Sequence, residues 1–302
     1  MPGMKNFIYT TLLLSITSSL WASCKPEIKA YDIKDPVDRS KLQVTSKAFF
    51  PEVEAGEKFP VIFVLPSIMG ESALERSMAR RLCHRRIGAV ILDIVKEAPF
   101  EEQVRNLYFQ DQMMIRALHS FKHILKQIKR HPEVSGRIGI LGISQGALAS
   151  AYISGSVREI DTTVLIVGAG NIQGVLTYSQ NKDIEAIRVA RMAHYKLETD
   201  EQYRALIRKK TPHDPLTVAA RIRPDSTYFF IATEDTTVPT EYQRELVDKI
   251  KGAKIFEMKA SHIGAILKTV SFNSNLIFDF YADQLDLDLD LDLDVEVVAK
   301  IE

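Results

Sequence analysis

Apolar positions along the chain alternate between two rhythms. Short runs are apolar almost without interruption. They are Pro60-Val61-Ile62-Phe63-Val64-Leu65, residues 88–95, Arg137-Ile138-Gly139-Ile140-Leu141, residues 161–167, Thr227-Tyr228-Phe229-Phe230-Ile231-Ala232 and Lys254-Ile255-Phe256-Glu257-Met258. Runs of this length, rich in β-branched and aromatic residues, predict strands, and 227–232 reads as a buried one. Between them the period changes to that of a helix. Leu74, Met78 and Leu82 share one face of residues 71–86. Val104, Leu107, Met114, Leu118, Phe121, Leu125 and Ile128 form a core-packing stripe that predicts one long helix over 101–130. Pro239 opens another helix over 241–251. Residues 42–50 predict an early strand, and the polar stretch 25–39 an irregular lead. This alternation predicts an α/β fold with a mostly parallel central sheet and helices on both faces. Residues 171–212 interrupt it: they are charged and helical in period, either a lid over a neighbouring site or a surface helical hairpin.

Composition changes this picture little. An apolar fraction of 46% supplies a core, and 39 basic residues balance 39 acidic ones. Nothing in that balance points to nucleic acid or to a strongly charged substrate. The N-terminus adds an expectation of export. Lys5 precedes an apolar but Ser/Thr-interrupted stretch, Phe7 to Leu20, shorter than the roughly 20 residues of a membrane span. Residues 1–23 are therefore expected to be a signal peptide. Alternatively Leu20-Trp21-Ala22-Ser23-Cys24 resembles a lipobox, which would tether a lipidated Cys24 to a membrane. If Cys24 is retained without lipid, it can pair with Cys83, the second of two cysteines. No Cys/His cluster has metal-ligand spacing, so neither metal nor cofactor is expected. Residues 285–302 begin with a Leu-Asp repeat. It is not a calcium loop, because the turn-glycine position holds Leu291 and the final glutamate position Val297. A low-complexity tail, disordered or added as an edge strand, is expected instead.

The candidate chemistry begins at Gly142-Ile143-Ser144-Gln145-Gly146, between the run ending at Leu141 and a small-residue helical run, Ala147 to Tyr152. Strand, G-x-S-x-G, helix is the setting of a nucleophile elbow. Ser144 is the candidate nucleophile rather than a plain helix cap, and the Gln145 N–H is left to face an oxyanion. A nucleophilic serine needs a base, and the base an orienting acid. Behind an elbow of this kind the order is Ser, Asp or Glu, then His. Of seven histidines only His262 follows a carboxylate placed after a strand downstream of Ser144; His194 and His213 come too early. Asp235 is the candidate acid, in the frame Asp235-Thr236-Thr237-Val238-Pro239, with Glu234 the adjacent competitor. The loop after residues 60–65, Pro66-Ser67-Ile68-Met69-Gly70, would supply a second oxyanion donor, from Ser67 or Ile68.

With these residues in order, the chain resembles the α/β-hydrolase superfamily. It looks most like bacterial dienelactone-hydrolase-like and related esterase members. The resemblance rests on Val64 to Gly70, Gly142 to Gly146, Val167 to Asn171, Asp214 to Ile222, Asp235 to Pro239 and Ser261 to Gly264. It implies a single hydrolase domain over residues 24–284, a Ser144–His262–Asp235 triad, a lid at 171–212 and a small-molecule ester or acyl substrate. Dienelactone hydrolases proper carry a cysteine where this chain has Ser144.

Overall fold

In a computed structural model, residues 24–93 and 98–287 are described; residues 1–23, the expected signal peptide, and the repeat from residue 288 lie outside them. Eight strands form one sheet: β1 (Pro26–Lys34), β2 (Lys41–Phe49), β3 (Phe59–Leu65), β4 (Gly88–Asp93), β5 (Val134–Ile143), β6 (Thr162–Ile166), β7 (Thr227–Ala232) and β8 (Lys254–Met258). Their order is β1-β2-β4-β3-β5-β6-β7-β8. β1 and β2 are antiparallel to each other, and β2 to β4. From β4 to β8 all pairs are parallel.

Strand β3 shows why the interior runs are apolar without alternation. Val61, Phe63 and Leu65 join a core on one face with α3 (Phe109–Ile128) and α4 (Gln145–Ser156). Ile62 and Val64 point the other way, into a core with α1 (Ala73–His84) and α10 (Ser274–Gln284). With a helix layer on each face, every residue of β3 is buried. The parallel strands all run toward the same edge, which collects the loops following β3, β5, β7 and β8.

Three boundaries differ from the sequence reading. Residues 25–39 are not an irregular lead: β1 pairs with β2 from Pro26↔Phe49 to Lys34↔Lys41. It is an edge strand whose first five residues are exposed, so backbone pairing rather than apolar alternation defines it. Buried Asp35 organises the turn into β2, accepting from the Val37 N–H at 2.8 Å and from Arg116 Nε at 2.7 Å. The helix expected over 101–130 is two, α2 (Phe100–Arg105) and α3. Asn106 breaks it: its side-chain oxygen takes the Tyr108 N–H at 3.0 Å, in place of a helical acceptor. Finally Leu285, first residue of the Leu-Asp repeat, is buried in the core beyond α10.

Residues 171–212 carry three helices: α5 (Ile172–Tyr178), α6 (Lys182–His194) and α7 (Asp200–Lys210). Asp214 closes their base, accepting from the N–H groups of Asn171 (2.9 Å), Ile172 (2.5 Å) and Leu216 (2.9 Å). Arg191 on α6 is 1% exposed. It donates to the carbonyl of Gln103 through Nε at 3.0 Å and Nη2 at 2.7 Å, and to Tyr203 Oη at 3.3 Å. The insertion is thus docked on the C-terminal end of α2, whose carbonyl dipoles face the cation. The remaining helices are α8 (Thr240–Ile250) and α9 (His262–Ser271).

Candidate active site

Strand β5 ends at Ile143 and α4 starts at Gln145, so Ser144 alone makes the turn. Its backbone lies at φ 54°, ψ −117°. Such a conformation costs on the order of 1–3 kcal/mol and persists only where the surroundings enforce it. The flanking glycines are that enforcement. A Cβ on Gly142 would stand 2.4 Å from the Gly146 carbonyl oxygen and 2.5 Å from Ser150 Oγ. One on Gly146 would stand 2.2 Å from the Leu65 carbonyl oxygen and 2.3 Å from that of Pro66. The second contact also lays the loop after β3 against the elbow.

His262 is the first residue of α9, behind the cap Ser261, and Asp235 lies in the loop between β7 and α8. Ser144 Oγ is 2.8 Å from His262 Nε2, and His262 Nδ1 is 2.7 Å from Asp235 Oδ2. An ionised carboxylate only accepts, so Nδ1 carries the proton and Nε2 of the neutral ring accepts from the Ser144 hydroxyl. Asp235 is 4% and His262 7% exposed, while Ser144 is half-buried. Asp235 Oδ1 accepts from the Thr237 and Val238 N–H groups, each at 2.9 Å. Its Oδ2 also accepts from Gln243 Nε2 at 2.9 Å. These four donors satisfy a carboxylate removed from water. The competitor Glu234 is exposed and pairs with Lys259 at 3.6 Å.

As the first residue of α4, Gln145 has a backbone N–H without an intrahelical acceptor. Ser67 and Ile68 are half-buried in a turn closed by the Gly70 N–H donating to the Ser67 carbonyl at 2.9 Å. Two exposed apolar side chains stand at this edge: Met69 on the loop after β3, 88% exposed, and Ile263 in the first turn of α9, 60% exposed. His213 joins none of this; its Nδ1 is 3.0 Å from both carboxylate oxygens of Asp111 on α3. Among the described residues no group of three or more His, Cys, Asp or Glu could hold a metal ion. Motif reading passed over Gln243, which carries no signal beyond being polar in the first turns of α8.

The fold has parallels among solved structures. A puromycin hydrolase matches with a TM-score of 0.65 at 13% identity, over 88% of this chain and 40% of its own. An acylaminoacyl peptidase from Pyrococcus horikoshii matches at 0.64 and 17% identity, over 90% of this chain and 44% of its own. Acetyl xylan esterase 1 from Thermoanaerobacterium matches at 0.62 and 14%, over 88% of this chain and 92% of its own. The chain has the α/β-hydrolase fold. The chain spans less than half the length of the first two proteins and nearly all of the third. Residues 117–260 match the family model "BAAT / Acyl-CoA thioester hydrolase C terminal". That window holds Ser144 and Asp235 and ends two residues before His262. No curated protein matches the sequence. The mostly parallel sheet expected from the apolar rhythm is therefore the sheet of this fold.

Proposed function

We propose that the chain is a serine hydrolase that cleaves a carboxylic ester through an acyl-enzyme. The observation carrying this reading is the unbroken bond series from Ser144 Oγ through His262 to Asp235, at a strained elbow after β5. In this reading His262 Nε2 takes the hydroxyl proton as Ser144 attacks the carbonyl carbon. Asp235 holds the imidazole tautomer and stabilises the imidazolium. The Gln145 N–H and a backbone N–H at Ser67 or Ile68 take the oxyanion, each contributing about 2.7–4 kcal/mol. His262 then protonates the leaving alcohol, and water, activated by the same base, releases the acid. No cofactor enters any step.

A thioester is the second substrate class, favoured by the family model matched over residues 117–260. The chemistry is unchanged; only the leaving group differs. Met69 and Ile263 suit an apolar acyl or alcohol group beside Ser144. The three helices of 171–212 act as a lid that excludes water from the acyl-enzyme. The Cys24–Cys83 disulfide suits an exported protein in an oxidising compartment, with Cys24 unlipidated.

The test is a panel of p-nitrophenyl esters and acyl-CoA thioesters of graded acyl length, with wild type and Ser144→Ala side by side. Wild-type turnover should fall roughly 10⁴–10⁶-fold in the variant. A folded variant within tenfold of wild type would refute the role of Ser144. Higher kcat/KM on thioesters than on esters of the same acyl length would select the second class.

A further inference from the structure

We infer that Gln243 is a positioning residue, whose side-chain amide fixes the Asp235 carboxylate that in turn orients His262. The inference rests on the serine-hydrolase reading and deepens it by one shell.

Gln243 is fully buried on α8, eight residues beyond Asp235. Each polar atom of its amide has a defined partner. Nε2 donates to Asp235 Oδ2 at 2.9 Å and to the Val238 carbonyl at 2.8 Å, and Oε1 accepts from the Ala232 N–H at 3.2 Å. This fixes the amide's orientation. Flipped, it would set an oxygen against both the carboxylate and the Val238 carbonyl, and an NH₂ against the Ala232 N–H. One side chain thus ties together the last residue of β7, the end of the loop after it and the triad acid inside that loop. Among the described residues Asp235 Oδ2 receives two donors, Gln243 Nε2 and His262 Nδ1. Thr237 and Val238 hold the other oxygen. Without the amide, the carboxylate could rotate about its Cβ–Cγ bond, and the oxygen facing His262 would lose its second anchor.

Residue type matters as well as position. A neutral donor restrains the carboxylate without offering it a proton or a second charge. Glutamate has the same size but can play this part only while protonated, because two adjacent carboxylates cannot both ionise at low cost. Leucine fills similar space with no donor at all. Gln243 touches Asp235 and backbone, so its loss should act on kcat and leave KM nearly unchanged.

The experiment compares Gln243→Leu and Gln243→Glu with wild type on a p-nitrophenyl ester over a pH series. Rates are normalised to active sites titrated with a fluorophosphonate, and folding is followed by circular dichroism. Gln243→Leu should lose roughly ten- to a hundredfold in kcat, the worth of a hydrogen bond to a charged group. Gln243→Glu should approach wild type at low pH, and its rate relative to wild type should fall as pH rises. Wild-type kcat in Gln243→Leu, or a ratio for Gln243→Glu that is flat with pH, overturns the inference while leaving the hydrolase reading intact. A fall in that ratio that merely tracks lost ellipticity assigns Gln243 a structural role and overturns it too. An inert wild-type protein overturns the hydrolase reading and this inference with it.

Discussion

Ser144 sits in a backbone conformation that only crowding can hold, and the crowding is supplied by the absence of two side chains. At Gly146 the nearest atoms are the Leu65 and Pro66 carbonyl oxygens, main-chain groups that cannot rotate aside. Gly146→Ala should therefore displace the loop after β3, which holds Ser67 and Ile68, and misplace any donor it offers. An offset of about 1 Å at a reacting centre costs on the order of a hundredfold in rate. Steady-state kinetics with circular dichroism should show that loss in a protein that still folds; unchanged kcat/KM would contradict it. At this scale the sequence was informative where chemistry demands a residue type in a fixed order. That Ser144, Asp235 and His262 come together was legible because a motif, a strand end and chain order each narrowed the choice. Gln243 was not, because its partners become neighbours only when the loop after β7 folds back on α8. Arg191 was equally silent: a lone arginine in a charged helix reads as surface, and its burial depends on the carbonyl at the end of α2.

Secondary structure was legible wherever burial imposed a rhythm. Strands β3 to β7 lie between two helix layers, and their continuous apolar runs say so. β1 escaped notice because an edge strand with solvent-facing side chains has no rhythm to read, only backbone to pair. The break between α2 and α3 escaped because the apolar stripe runs across it; the cause is one side-chain bond at Asn106. The insertion is held at both ends, by Asp214 at its base and Arg191 on α6. Among the described residues no acidic side chain takes the Arg191 charge; carbonyl oxygens and a tyrosine hydroxyl do. Replacing it with methionine would leave the Gln103 carbonyl buried without its donors. Arg191→Met should lose about 2–4 kcal/mol of stability, measured by the urea midpoint. If the insertion shields Ser144, the same variant should change kcat/KM more for long acyl groups than for acetate. A midpoint equal to wild type would show that the docking contributes nothing.

For the whole molecule, the alternate facing of β3 side chains divides the core into two layers, and loops collected at one sheet edge bring together residues from four separate strand ends. The disulfide is a long-range restraint on this body, joining Cys24 to Cys83 in α1 across 59 residues of chain. In the chain-entropy account a loop of that size stabilises by about 4 kcal/mol. Reduction, or the double replacement Cys24→Ser with Cys83→Ser, should lower the Tm by several degrees and leave Ser144, His262 and Asp235 in place, because Cys83 closes α1 just before β4 begins, at the end of the parallel strands opposite those residues. Equal melting temperatures with and without reductant would mean that the bond adds no stability. The end of the body was harder to place from sequence. The Leu-Asp repeat looks uniform, yet its first leucine is a core residue.

The central claim is that Ser144 is an activated nucleophile. Labelling of the purified protein with a fluorophosphonate probe, beside Ser144→Ala, tests it most directly. Stoichiometric labelling that maps to Ser144 and vanishes in the variant is the expected result. A folded wild-type protein that stays unlabelled, or a variant that labels equally, would contradict the claim.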